Sequence, residues 1–232
     1  MKVSIVLPTY NERENIGVLI ELILKHVPRV HEIIVVDDNS PDKTWEFVEG
    51  LVKDNKKIRV IRRFKDKGLA QSSMEGINRA KGDVVVWMDT DLSMHPKYIP
   101  DLLKEIGRYD VVKGSRYVKG AQDLRGLSRK LPSILMCNYI NFILGFGIKD
   151  PNNQFFAAKK KVFDRVRIRP LGHGQYIMAF LYDCYKQHFK IKEVPYIYRE
   201  RTKGESKVSD IRTFLGFAVK YGLQPIKLRL GR

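Results

Sequence analysis

Residues 83–93 read Asp83-Val84-Val85-Val86-Trp87-Met88-Asp89-Thr90-Asp91-Leu92-Ser93. An apolar run of strand length ends abruptly in two carboxylates spaced i, i+2, and in an extended chain that spacing puts both side chains on the same side. At the carboxyl end of a buried parallel strand they project into the crevice where open α/β sheets bind ligands. Two carboxylates there repel unless a cation joins them, and a divalent ion that also holds a nucleotide diphosphate accounts for the pair. Capping of a helix from about Pro96 by Asp91 or Ser93 accounts for one residue and not for both.

The chain on either side of this stretch is βαβ-like. Strand 3–7 leads to Asn11, which with Glu14 forms an Asn-x-x-Glu variant of the capping box. The helix that follows shows Ile16, Leu19, Ile20, Ile23 and Leu24 on one face. A strand from Glu32 to Val36 ends in Asp37-Asp38-Asn39-Ser40, and Ser40-Pro41 has the chemistry of a second helix start. A short strand at Ile58–Ile61 and the basic loop 62–68 precede a third helix, closed near Ala80 with Gly82 as its C′ residue. After the strand at 84–88 come a helix from Pro96 to Gly107 and a strand near Val111-Val112. Strands separated by helices predict a mostly parallel sheet covered on both faces.

The second half is less regular. Its pattern predicts a helix at 132–144, a strand near Phe155–Ala158, a helix from Gln175 to Gln187 and a strand over Ile191–Tyr198. A last helix, beginning near Val208, places Val208, Ile211, Phe214, Leu215, Ala218 and Val219 at helical spacing, with Arg212 and Lys220 off that face. Residues 131–148 carry no charge, but Pro132, Asn138, Asn141, Gly145 and Gly147 interrupt them, so they read as an interfacial or buried helix and not as a span.

Charge divides the chain at the same place. Residues 1–110 hold 18 Lys+Arg and 18 Asp+Glu, whereas residues 111–232 hold 25 and 8, the whole of the +17. The basic half is suited to nucleic acid, anionic lipid headgroups or a phosphorylated substrate, or is simply a solvated surface. Nucleic acid is disfavoured because no fold motif for that role and no aromatic-interleaved basic signature occurs. Two cysteines, Cys137 and Cys184, make neither a disulfide framework nor a metal site, and the strand pattern at the N-terminus leaves no signal peptide; a reducing, cytosolic setting is expected. There is no Gly-x-Gly-x-x-Gly after the first strand and no Walker-type loop, nor a nucleophilic-serine elbow or zinc-ligand spacing.

The stretches 5–12 (Ile-Val-Leu-Pro-Thr-Tyr-Asn-Glu), 35–42 (Val-Val-Asp-Asp-Asn-Ser-Pro-Asp) and Asp89-Thr90-Asp91 resemble the family 2 inverting glycosyltransferases of GT-A fold. Gly114-Ser115-Arg116-Tyr117, Asp150-Pro151, Val194-Pro195-Tyr196 and Gly204-Glu205-Ser206-Lys207 narrow the likeness to the polyprenyl-phosphate glycosyl synthases, the dolichol-phosphate mannose synthases above all. The likeness implies a GT-A (Rossmann-like) catalytic domain over 1–207 and an amphipathic helix and tail over 208–232, with membrane-interface helices towards the C-terminus. It also implies site residues. Pro8, Tyr10, Glu12 and Asp38 match those that hold the donor nucleoside, and Asp89 and Asp91 the carboxylates for Mg²⁺ or Mn²⁺, with Ser93 where relatives often place glutamine. Arg116, Arg129 and Ser133 match the acceptor-phosphate site, and Arg201 and Lys207 a basic closing loop.

Two positions depart from the pattern. Relatives read Asp-Pro-x-Ser-Gly-Phe-Phe where this chain has Asp150-Pro151-Asn152-Asn153-Gln154-Phe155-Phe156, and relatives tend to carry glutamate on the helix that here begins Gln175-Tyr176. The resemblance implies transfer of a hexose, mannose from GDP-mannose, with inversion to dolichyl or another polyprenyl phosphate. The setting implied is peripheral, at the cytoplasmic face of an anionic membrane. Alternatives are a glucose synthase using UDP-glucose and a catalytically weakened binding subunit of a membrane complex. Many such relatives continue into membrane spans, so a membrane-anchoring subunit is a further partner to look for.

Overall fold

The computed structural model describes residues 1–172, 174–199 and 221–231. Its centre is a seven-stranded sheet in the order β3-β2-β1-β4-β7-β5-β8. These strands are β1 (Val3–Thr9), β2 (Glu32–Asp37), β3 (Ile58–Arg62), β4 (Val84–Trp87), β5 (Val111–Ser115), β7 (Phe156–Lys159) and β8 (Ile191–Pro195). All neighbours are parallel except β7, which runs antiparallel to both β4 and β5. A two-stranded parallel ribbon, β6 (Gln122–Asp123) with β9 (Ile197–Tyr198), lies beyond β5 and β8. The strand expected over Ile191–Tyr198 is therefore two, divided at Tyr196.

Alternation along the strands builds two cores, one on each face. Val6, Ile34, Val36, Val85 and Trp87 point to one side, where they meet α3 (Leu69–Arg79), α5 (Leu127–Leu144) and α7 (Gln175–Lys186). Ile5, Leu7, Ile33, Val35, Val84 and Val86 point to the other, against α1 (Arg13–His26), α2 (Thr44–Asp54) and α4 (Ile99–Glu105). With both faces covered, the strands read as unbroken apolar runs. α1 buries Ile16, Leu19, Ile20 and Ile23 completely or nearly so, and each such side chain contributes about 1.5–3 kcal/mol. A short α6 (Val162–Arg165) follows β7, and residues 221–229 form a further helix, α8, against α5: Tyr139 donates to the Gly222 carbonyl at 2.8 Å and Arg229 to that of Ile143 at 3.0 Å.

Three local expectations change. Asn11 does not cap α1, which begins after Glu12 with no side-chain cap; Asn11 is in the left-handed region at φ 59° and accepts weakly from the Asp42 amide. Ser40-Pro41 does not open α2. Ser40 turns back to Asp37, and Asp42 instead receives the Thr44 amide at 2.9 Å and its hydroxyl at 2.6 Å. Gly82 is not a left-handed C′ residue: a Cβ there would lie 2.7 Å from the Ser4 amide nitrogen, so glycine admits the close approach of β1. The helix expected near Val208 lies outside the described residues, and no helix among the described residues is long and apolar enough to cross a membrane.

Candidate active site

The carboxyl ends of β1, β2 and β4 lie side by side, and the loop after each contains a non-glycine residue at positive φ: Asn11, Asn39 (55°) and Leu92 (62°). Asparagine tolerates this region, but a bulky Leu there is held against its preference by what surrounds it. Leu92 lies between Asp91 and Ser93, so the strain falls in the carboxylate loop itself.

On the β1–β2 side, Asp37 is fully buried. Its carboxylate receives the Ser40 amide (2.8 Å), the Ser40 hydroxyl (2.5 Å) and the Thr9 hydroxyl (3.0 Å), while Ser40 Oγ accepts the Asn11 amide at 3.0 Å. Asp37 thus fixes the crevice wall. Asp38, also buried, accepts from Arg63 Nη1 and the Gly68 amide, both at 2.6 Å, and Arg63 reaches on to Ser72 and the Asp66 carbonyl. Pro8 is buried at the end of β1, Tyr10 is 39 % exposed beside it, and Glu12 accepts from Asn15 at 2.8 Å. The four expected nucleoside residues therefore share one edge. Sequence reading missed Arg63, whose signal was the arginine pair at the start of the basic loop.

Asp89 and Asp91 follow β4 directly. Asp91 is nearly buried, and its Oδ1 accepts the Ser93 amide at 3.1 Å and the Ser93 hydroxyl at 2.6 Å; Thr90 ties the loop to β1 through the Pro8 carbonyl at 3.4 Å. Among the described residues no group of three or more His, Cys, Asp and Glu side chains is placed to hold a metal. Two hard carboxylates at a strand end suit Mg²⁺ or Mn²⁺ sharing its remaining positions with phosphate and water. Burial and the Asp89 charge raise the Tyr176 phenol well above its ordinary pKa. Tyr176 stacks on Trp87 with ring centroids 5.3 Å apart and donates to Gln154.

Across the crevice, Arg116 follows β5 and is almost buried. It donates to Asp150 through Nε (2.8 Å), Nη2 (2.7 Å) and its own amide (2.9 Å). Burial alone would raise the Asp150 pKa, but the Arg116 charge and hydrogen bonds outweigh it and hold the carboxyl at about 2. Lys113, wholly buried, donates to the carbonyls of Gly114 and Asp150. Desolvation lowers its pKa against the attraction of Asp150. Glu193 accepts the amides of Lys149 and Asp150 at 2.8 and 2.9 Å.

The Tyr117 hydroxyl donates to Ser133 on α5 at 2.8 Å, and Arg125, paired with Asp123 at 2.6 Å, joins the same group. Arg129 is exposed in the first turn of α5. Arg116 and Ser133 are thus linked through Tyr117, while Arg201 and Lys207 lie outside the described residues. Asp150, Asp123 and Arg125 were not picked out from sequence as charge partners. Asn153, the first departure, is buried structure: its amide nitrogen reaches Asp150 at 3.3 Å and Tyr196, and its Oδ1 accepts the Phe155 amide at 2.8 Å. Gln175, the second, is buried at the start of α7.

Comparison with known proteins fits this geometry. The chain is 41% identical over 213 residues to a dolichol-phosphate mannosyltransferase of Pyrococcus furiosus, covering 90% of this chain and 59% of that one, so it spans under two thirds of that relative's length. It is 30% identical over 230 residues to a polyprenol monophosphomannose synthase of Mycolicibacterium smegmatis, covering 95% of this chain and 86% of that one. In fold it resembles glucosyl-3-phosphoglycerate synthase of Mycobacterium tuberculosis, solved with Mn²⁺, UDP and glucosyl-3-phosphoglycerate: TM-score 0.75, 22% identity, 99% of this chain and 80% of that one. The α/β architecture is thus GT-A-like, with a mostly parallel sheet. Residues 4–167 match the sequence family Glycosyl transferase family 2, and the chain belongs to that family.

Proposed function

We propose that this glycosyltransferase moves mannose from GDP-mannose to dolichyl or another polyprenyl phosphate, with inversion, at the cytoplasmic face of a membrane. The observation that carries the reading is the meeting of a strand-end carboxylate pair with a buried arginine group across one crevice. The Tyr198 ring lies 5.3 Å from the Arg116 guanidinium, and burial together with the Asp91 and Asp89 charges raises the pKa of its phenol. The names of the relatives in Pyrococcus and Mycolicibacterium support mannose and a polyprenyl acceptor.

The chemistry suits these residues. A phosphate monoester has a second pKa near ~6, so its attacking oxygen is already anionic at neutral pH and no general base is needed. The remaining tasks are to place two anions in line and to stabilise the departing diphosphate. Pro8, Tyr10, Glu12 and Asp38 hold the nucleoside, with Asp38 also keeping loop 62–68 closed on that edge through Arg63 and Gly68. Asp89 and Asp91 would hold Mg²⁺ or Mn²⁺, which supplies Lewis-acid stabilisation of the leaving phosphate when bound. Arg116, Arg129 and Ser133 receive the acceptor phosphate, and Arg201 and Lys207 close over the substrates.

The membrane side of the proposal rests on α5 and α8. Leu127, Leu131, Leu135 and Phe142 are 55–85 % exposed on one face of α5, and Leu223 and Ile226 are exposed on α8. Lys130 and Lys227 neighbour them in the sequences of the two helices. Apolar side chains flanked by cations suit a peripheral position on an anionic bilayer. A panel of GDP-mannose and UDP-glucose with a short polyprenyl phosphate and Mg²⁺ or Mn²⁺ tests the reaction. Mannosyl lipid from GDP-mannose is the expected product. Glucosyl lipid in its place transfers the assignment to a glucose synthase, and no turnover with any pair leaves a binding subunit.

A further inference from the structure

Arg116 and Arg125 are built alike. Each docks side-on against a carboxylate through Nε and Nη2: Arg116 on Asp150 at 2.8 and 2.7 Å, and Arg125 on Asp123 at 2.9 and 2.6 Å. Neither Nη1 makes a hydrogen bond among the described residues. In both pairs the carboxylate side chain is wholly buried, whereas 8 % of the Arg116 side chain and 15 % of the Arg125 side chain stay exposed. What reaches solvent in each pair is therefore the arginine and not its counter-ion.

The two arginines also share their surroundings. The Tyr198 ring centroid is 5.3 Å from the Arg116 guanidinium and 5.1 Å from that of Arg125. The β6–β9 ribbon pairs Asp123 with Tyr198, so one short ladder places both the counter-ion and the ring. Tyr117 touches both arginines as well, its ring 5.0 Å from the Arg116 guanidinium and its hydroxyl 3.4 Å from Arg125 Nη2. The same hydroxyl donates to Ser133 at 2.8 Å. A guanidinium pinned side-on to a carboxylate is pre-organised, so little side-chain freedom is lost when a phosphate takes its remaining donors. We propose that Arg125 is an acceptor-binding residue, supplying beside Arg116 and Ser133 a second buried-backed guanidinium for the phosphate monoester of the lipid. The inference rests on the assignment of Arg116 and Ser133 to that phosphate.

Removing Arg125 alone would strand the Asp123 charge, so the test uses the neutral double variant Asp123→Asn/Arg125→Gln. Asp123→Asn alone keeps the cation, and Asp150→Asn/Arg116→Gln is the reference. Binding of a short polyprenyl phosphate and of the matching uncharged polyprenol is measured by titration calorimetry, beside GDP-mannose binding and thermal unfolding. Asp123→Asn/Arg125→Gln should weaken phosphate binding roughly ten- to a hundredfold, the loss of one charge-assisted contact. Its binding of the alcohol and of GDP-mannose should stay within about twofold, and Asp123→Asn should lose less than about threefold for the phosphate. Wild-type phosphate affinity in the double variant overturns the proposal. So does an equal loss in Asp123→Asn, or a parallel loss of alcohol and donor binding with a lowered unfolding temperature, either of which would make the pair structural only. Loss in the Arg116 reference with retention in the Arg125 double variant overturns the Arg125 role alone. A wild type that does not prefer the phosphate to the alcohol, or a reference that keeps that preference in full, removes the acceptor assignment itself and takes the proposal with it.

Discussion

On the β1–β2 edge, the carboxylates that shape the loops are satisfied mainly by neutral donors. Asp37 takes two hydroxyls and an amide, and Asp42 takes the amides of Arg13 and Thr44 and the Thr44 hydroxyl. On the β5–β8 edge, Asp150 and Asp123 are satisfied by guanidinium groups, with the buried Lys113 alongside. Asp38 with Arg63 lies between the two styles. Losing a neutral donor costs roughly one hydrogen bond, about 0.5–1.5 kcal/mol. Losing one member of a buried ion pair strands the other charge and costs about 3–5 kcal/mol. The loop carboxylates Asp37 and Asp42 thus tolerate the loss of one donor, whereas loss of Arg116 or Arg125 leaves a buried charge unpaired.

The largest effect expected is on turnover. Asp89→Ala or Asp91→Ala should lower kcat by on the order of a thousandfold, since electrostatic stabilisation of the leaving group is lost. The circular-dichroism spectrum should not change, and a chelator should abolish wild-type activity until Mg²⁺ or Mn²⁺ is restored. Full activity in the chelator would remove the metal assignment.

Next comes a direct contrast between the two edges. Arg116→Ala should destabilise the protein by about 3–5 kcal/mol in urea unfolding, because Asp150 is left buried and unpaired. Ser40→Ala should cost only about 1 kcal/mol. Arg129→Ala, at an exposed site, should leave stability unchanged and raise acceptor KM roughly ten- to a hundredfold. Equal destabilisation by Arg116→Ala and Ser40→Ala would erase the contrast.

Acid sharpens it further. The Asp150 carboxyl is held at about 2 when folded against an ordinary value of 3.8. Its ionised form therefore contributes stability that is complete above about pH 4 and lost as pH falls towards 2. Unfolding of the wild type and Asp150→Asn across that window should show their stability difference narrowing by roughly 2–3 kcal/mol. A constant difference would place the pairing energy elsewhere.

The smallest effect is at the membrane. Sedimentation with anionic vesicles should show binding that salt reduces but does not abolish, and charge neutralisation at Lys130 or Lys227 should lower it by about 1 kcal/mol per site. Indifference to such vesicles at low salt would leave the exposed faces of α5 and α8 with a fold role alone.

The first half was largely legible because its signals are local. Apolar runs gave β1, β2 and β4, spacing gave the buried face of α1, and the carboxylates at 37–38 and 89–91 fall at the ends of β2 and β4 in one sheet, with β1 between them. What failed there was detail set across the β1–β2 edge: Ser40 turns back to Asp37 and accepts the amide of Asn11, 29 residues away, and Asn11 bends towards Asp42, 31 residues away. In the second half such partners decide almost everything. Arg116 could not be read as the counter-ion of Asp150, nor Asn153 as the partner of Tyr196, because each contact joins separate elements of the fold. The reversal of β7 left no mark either, since a strand buried on both faces reads alike in either direction.

That reversal has a consequence for how such a chain can change over time. Because β7 runs against β5, the polypeptide leaves the sheet after Ser115 and re-enters at Phe156 on the same rim, with Gly114 and Phe155 joined by a 2.7 Å hydrogen bond. Residues 116–155 are a closed excursion whose ends meet, and they include Arg116, Arg125, Arg129, Ser133, α5 and Asp150. An insertion or exchange within such an excursion adds only a slowly growing loop-closure cost and leaves the register of the sheet untouched. On the proposed assignment, acceptor recognition can be lengthened or replaced within this excursion as a cassette, while the rim formed by β1, β2 and β4 is passed on intact.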